Sequence, residues 1–261
     1  MADRPTIAEL REVSQPPSVR GRRNAEHWVA DAYLRRFSPY LTRQLLPTRI
    51  TPNGVTVVMV LFGFLAGPAL LLPGLAGGLL CVAATQLQML WDCCDGELAR
   101  WRQQFSPAGV FYDKIGHYLA ESVIPVGLGL RADRVLDGGE VGGWTTLGAL
   151  LAVLVLYNKA LNDFVHISRA FAGLPRLEDR EGIGTPTVGS VRRLRSLVRF
   201  VPFNRVYHSV ELSLLCLAAA VVDALAGGLP ATHLLLGLLV PLGVVTVLGH
   251  LASIVTSSRL R

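Results

Sequence analysis

Six long apolar runs alternate with short polar segments along this chain. They are Val55–Leu72, Leu75–Trp91, Ala108–Leu130, Trp144–Phe164, Val210–Leu225 and Leu229–Val255. A helix that crosses a bilayer needs about 20 apolar residues. The pattern therefore predicts an all-α, polytopic membrane protein with about six transmembrane helices. The third run is polar in its first half, and the fifth is short and carries Glu211. Ahead of the first run, Trp28, Ala32, Tyr33, Phe37, Tyr40 and Leu41 recur at helical spacing among Arg35, Arg36 and Arg43. That stretch predicts an N-terminal amphipathic helix in the membrane interface, with aromatic residues in the lipid and arginines at phosphates. Residues 1–24 read as a flexible tail, residues 25–50 as the interfacial helix and residues 51–261 as the six-helix transmembrane domain. Met1–Leu46 has no early apolar core, so no cleavable signal peptide is expected.

Composition supports the membrane assignment and adds an orientation. The chain is 51% hydrophobic and 17% charged, against about 25% charged in soluble domains. Disorder and an ordinary soluble fold are both disfavoured. The net charge of +6 then reads as basic flanks on membrane spans, and no nucleic-acid partner is expected. Of the 25 basic residues only Lys114 and Lys159 are lysine. With the N-terminus in the cytoplasm, 21 arginines fall on the inner side and only Arg131 and Arg134 on the outer side. This positive-inside bias predicts a multi-pass protein of the cell membrane with both termini cytoplasmic. Cys81, Cys93, Cys94 and Cys216 all lie in apolar stretches and read as small buried hydrophobes.

The informative segment is DCCDGELARWRQQFSPAGVFYDKIGH, Asp92 to His117. Asp92, Asp95 and Ala99 share one helical face with Gly96 at the end of the second run. Ser106-Pro107 reads as a helix start, and Gly109, Asp113 and His117 follow on one face of the next helix. A short loop makes the two helices antiparallel neighbours, so these faces meet at one depth near the cytoplasmic surface. Ionised carboxylates there are expensive, and three together repel one another. Divalent cations remove the repulsion, and oxygen-rich sites suit Mg²⁺ or Mn²⁺. Carboxylates bridging two metals serve in-line displacement at phosphorus. Gly96, Ala99 and Gly109 leave room for a ligand, and Arg100 supplies a cation for phosphate. These residues point to metal-assisted phosphoryl chemistry on an anionic substrate at a membrane surface.

The same stretch resembles the signature of the CDP-alcohol phosphotransferase family, D-x2-D-G-x2-A-R-x8-G-x3-D-x3-D. Asp92, Asp95, Gly96, Ala99, Arg100, Gly109 and Asp113 all match, with the eight-residue spacer intact. The segment Pro52-Asn53-Gly54-Val55-Thr56 resembles the family's P-N-x-x-T segment. The resemblance implies an enzyme that binds a CDP-alcohol, such as CDP-diacylglycerol or a soluble CDP-polyol, and releases CMP as an acceptor hydroxyl attacks the alcohol-bearing phosphorus. It implies Mg²⁺ or Mn²⁺, two ions, on Asp92, Asp95 and Asp113. It also implies Gly96, Ala99, Arg100 and Gly109 around the cytidine diphosphate, with Pro52, Asn53 and Thr56 closing over it. A homodimer, membrane-lipid contact and a place in phospholipid biosynthesis follow as expectations, with residues 51–261 as the catalytic domain.

One position departs from the signature. Where the family has its last Asp, assigned as general base and often as a metal neighbour, this chain has His117. Neutral imidazole is a competent base near pH 7 and a metal ligand, so His117 is expected in either role. Glu121, one turn on, is a candidate to orient it, or it faces another polar helix or water. Lys159, Asn162 and His166 share a face near the cytoplasmic end of the fourth run and are candidates for the acceptor, with snorkelling and interhelical bonding as the alternative. The arginines between Arg192 and Arg205 read as topology and anionic-lipid contacts. His233 and His250 read as structural. A divalent-cation transporter is the rival from another class. It would need acidic residues continuing across the membrane, whereas here they stay at one end beside Arg100. A catalytically inactive lipid-binding homologue is the other rival.

Overall fold

The computed structural model describes residues 5–20, 28–175 and 205–260, and every regular element among them is a helix. The elements are α1 (Ile7–Ser14), α2 (Pro17–Arg20), a π-helical turn (Ala30–Leu34) that runs into α3 (Arg35–Leu45), α4 (Pro52–Ala69), α5 (Gly74–Arg102), α6 (Pro107–Ala132), α7 (Gly143–Phe171), α8 (Ser209–Ala226) and α9 (Pro230–Val255). Each apolar run becomes one long helix. Pro52, Pro107 and Pro230 open three of them, at the position where proline's fixed φ suits a helix and its missing N–H costs nothing.

Five of these helices, α4, α5, α7, α8 and α9, are long and apolar enough to cross a membrane. Along α9, Leu234, Leu238, Val245, Leu248 and Val255 are all exposed. Their spacing is helical, so they form one apolar stripe of the kind that faces lipid. The sixth expected span, α6, is 26 residues long, about 39 Å at 1.5 Å per residue. It carries Asp113, Lys114, His117, Glu121 and Arg131 and so stands outside the five. Its length is that of a span, and its polar content is that of a helix lining a site.

The chain forms two compact units, residues 1–66 with 83–120 and residues 67–82 with 121–261. In the first, Val55, Cys94 and Leu98 form a buried core against Leu41, Leu45, Leu46, Ile50 and Trp91. Arg102 holds the turn after α3 by donating to the carbonyls of Leu45, Leu46, Thr48 and Ile50. Part of the segment expected as a flexible tail is helical. Thr6 and Glu9 form a capping box, with Glu9 N–H donating to Thr6 Oγ1 at 3.2 Å and Thr6 N–H to Glu9 Oε2 at 2.7 Å. This starts α1, which buries Leu10 and Ser14 and packs on α3. Arg43 and Arg11 fasten it by donating to Pro5 O and Arg36 O. In the stretch expected as an interfacial helix, Trp28, Phe37 and Tyr40 are exposed.

In the second unit α7 packs along α9, and α9 on α8. The end of α4 meets α6 through glycine. A Cβ built on Gly127 would lie 2.2 Å from Gly67 O, and one built on Gly67 would lie 2.3 Å from Val123 O. Helices approach this closely only where side chains are absent. Gly127→Ala is therefore expected to force the helices apart and destabilise the protein by about 1–3 kcal/mol. A thermal-unfolding midpoint equal to wild type would contradict the contact. Two carboxylates start helices in this unit. Asp133 accepts from Gly142 N, Thr145 N and Thr145 Oγ1 ahead of α7, and Asp223 accepts from Ala231 N and from Thr232 N and Oγ1 ahead of α9. Burial pushes the Asp133 carboxyl up, but these donors outweigh it and hold it below the usual carboxylate value.

Candidate active site

Asp92 and Asp95 stand one turn apart near the end of α5, and Asp113 and His117 one turn apart near the start of α6. The structure brings them together. His117 Nε2 lies 3.1 Å from Asp92 Oδ1 and 3.5 Å from Asp113 Oδ1. One ligand atom each from Asp92, Asp113 and His117 falls within 4.8 Å of the others. Asp95 is steadied by Thr56, whose hydroxyl donates to Asp95 Oδ2 at 2.7 Å. All four side chains are partly exposed, so the cluster is open to a ligand. The donor set, hard carboxylate oxygens and one imidazole, suits a divalent cation that favours oxygen.

The small residues of the motif have structural reasons. A Cβ on Gly96 would come within 3.0–3.1 Å of the Arg100 guanidinium nitrogens, and one on Gly109 within 3.1 Å of Asn53 Oδ1. Thus Gly96 makes room for Arg100, and Gly109 lets the start of α6 approach Asn53 at the start of α4. Ala99 is half-buried and Pro52 is buried. Arg100 also donates through Nε to Ser14 O at the end of α1.

Residues 49–158 match the family model described as CDP-alcohol phosphatidyltransferase. Over this span the chain is similar to the CDP-alcohol phosphatidyltransferase family. The matched stretch runs from just before Pro52 to the middle of α7, so it contains every residue that the motif names. A protein of Rubrobacter xylanophilus named "Bifunctional IPC transferase and DIPP synthase" is 36% identical over 118 residues, 44% of this chain and 25% of the relative. The chain thus spans about a quarter of the curated relative it matches.

Within the matched stretch, sequence reasoning missed Glu97. It is fully buried and accepts from Gln15 Nε2 at 2.7 Å, Thr42 Oγ1 at 2.6 Å and Ser38 Oγ. The signal was present in the hydroxyls at 38 and 42, one turn apart on α3, and in a carboxylate between the motif's Asp95 and Arg100. Glu97→Leu would leave the buried Ser38 and Thr42 hydroxyls without this acceptor and would leave Gln15 Nε2 only its bond to Arg35 O. It is expected to lower stability by about 2–3 kcal/mol, read as a drop in the unfolding midpoint.

Glu121, a candidate orienter of His117, is 5% exposed. It accepts from Lys159 Nζ at 2.6 Å and lies 3.9 Å from His208 Nδ1. Of the other acceptor candidates, Asn162 Oδ1 accepts from Arg259 Nη1 at 3.5 Å and His166 is exposed. Residues Arg192, Arg193, Arg195 and Arg199 lie outside the described residues. His233 stacks on Trp144 with ring centroids 4.5 Å apart, and His250 Nδ1 meets Asn158 Oδ1 at 2.9 Å. Both are tied into the helix packing.

Proposed function

We propose that this protein transfers a phospho-alcohol group, phosphatidyl or similar, from a CDP-alcohol donor to an acceptor hydroxyl with release of CMP. The reaction serves phospholipid biosynthesis at the cytoplasmic face of the cell membrane, a side that the bias of 21 arginines supports. The observation that carries this reading is the convergence of Asp92, Asp113 and His117 within 4.8 Å, beside an Asp95 oriented by Thr56. Clustered carboxylates repel one another unless cations lie between them. Asp92, Asp95 and Asp113 would hold two ions, Mg²⁺ or Mn²⁺. Bound there, the ions would offset the charge of the diphosphate and make CMP a better leaving group.

The chain's own residues do the rest. Arg100 presents a guanidinium to the diphosphate, Gly96, Ala99 and Gly109 leave it space, and Pro52, Asn53 and Thr56 border it at the start of α4. The acceptor oxygen forms a bond to the alcohol-bearing phosphorus as the bond to the CMP oxygen breaks. Neutral His117 takes the acceptor's proton, because three carboxylates already supply the hard oxygen ligands. The rival assignment, His117 as a ligand through Nε2, rests on its 3.1 Å approach to Asp92. Acceptors of this class include glycerol phosphate, inositol or its phosphate, serine and polyols. We also read the chain as a homodimer that contacts membrane lipids, as the family resemblance implies.

The test is CMP release by the purified full chain from CDP-diacylglycerol and soluble CDP-polyols, with each acceptor in turn. Release that needs both an acceptor and Mn²⁺ or Mg²⁺ is the expected result. No CMP from any donor, together with metal flux in liposomes, would overturn the reading in favour of a cation carrier.

A further inference from the structure

A cavity of about 210 Å³ lies in the second unit, at the connections α4–α5, α6–α7 and α8–α9. Three alternate connections of consecutive spans fall on one side of a membrane. Two guanidiniums line the cavity, those of Arg131 and Arg134. These are the two basic residues that the arginine count leaves on the outer side.

Arg131 is 7% exposed. It donates to the carbonyls of Leu70, Leu72 and Gly74, all neutral groups, and its Nε finds no hydrogen-bond partner. Its ion-pair partner is absent among the described residues. Arg134 is exposed, lines the same cavity and likewise has no carboxylate paired with it among the described residues. Its backbone sits in the left-handed region at φ +55°, which is rare for a residue with a side chain. Two bonds to Arg134 O, from Asp137 N–H and Gly139 N–H, hold it there. Two carboxylates also line the cavity, the exposed Asp137 and Asp223, which is committed to Ala231 and Thr232; neither forms an ion pair with Arg131 or Arg134.

A buried guanidinium without a paired counter-charge is costly, and Arg134 beside Arg131 gives the cavity a second fork for an anion. Planar guanidinium forks match phosphate oxygens. The remaining wall is apolar, with Leu72, Leu136 and Leu229, which suits an amphiphile better than a fully hydrated ion. We infer that this cavity binds a phosphate monoanion, the phosphodiester of an outer-leaflet phospholipid, between Arg131 and Arg134. The site shares no residue with the Asp cluster and does not depend on the reaction proposed for it.

The test uses the delipidated full chain in detergent and follows its unfolding midpoint and bound lipid by native mass spectrometry. The probes are phosphatidylglycerol, phosphatidylethanolamine and inorganic phosphate. Arg134→Gln is the chief variant, because Arg134 makes no side-chain contact on which the fold relies. Arg131→Lys is the second, since it keeps a donor for the three carbonyls. Wild type should retain one lipid and unfold several degrees higher with it. Arg134→Gln should bind it about tenfold more weakly, as for one lost charge-assisted bond, with the lipid-free midpoint unchanged. Protection by inorganic phosphate alone, lost in the same variant, would support the anion site and name the free ion as occupant. Equal lipid protection of wild type and Arg134→Gln, or protection of neither, would overturn it.

Discussion

Replacing Asp92 or Asp113 with Asn is expected to lower the rate of CMP release by about a thousandfold, the loss seen when one preorganised electrostatic partner of a charged transition state is removed. The change is nearly isosteric. It keeps an oxygen that His117 can reach at Asp92 and Asp113, but removes one of the negative charges that would retain a cation. A fold defect would produce the same loss of activity, so stability must be read alongside. Without added metal the variants should unfold no lower than wild type, because a repulsion has been relieved. With Mn²⁺ present the order should reverse, since only the wild type gains binding energy from the ion. A variant that keeps normal turnover, or a wild type whose midpoint ignores Mn²⁺ and Mg²⁺, would show that the carboxylates do not hold metal.

His117→Ala is the second large effect, with turnover expected to fall by about 10²–10⁴-fold, the range for loss of a positioned general base. His117→Asp should recover much of it, because it restores the acid that the family signature has at this position. The two roles separate in metal dependence. A ligand role predicts that His117→Ala is rescued by raised Mn²⁺, and a base role predicts that it is not. Full turnover in His117→Ala would remove this residue from the chemistry.

The helices and the cluster were legible in the sequence for physical reasons. Apolar runs of bilayer length admit only helices, and prolines at the first helical turn marked where several begin. The 3.6-residue period put Asp92 with Asp95 and Asp113 with His117, and the short loop from Gln103 to Ser106 left the two faces no choice but to meet. What escaped lay in partners far apart in sequence. Nothing local in Glu97 points to Gln15, and nothing in Glu121 chooses Lys159 over His117. The capping box at Thr6 and Glu9 was readable, yet α1 has too few apolar residues to announce burial. The count of spans turned on α6, where the residues that make the site also dilute its hydropathy.

Arg100 spends its Nε on Ser14 O while its two terminal nitrogens lie over Gly96. A guanidinium can serve both directions at once, one N–H backward to the protein and two forward to an anion. If Arg100 meets the diphosphate as proposed, the N-terminal segment acts as its aiming device, although it contributes none of the motif. A chain shortened past residue 20 would keep every motif residue and still let Arg100 wander. Its penalty should appear as a raised KM for the CDP-alcohol, with the chemical step left largely intact.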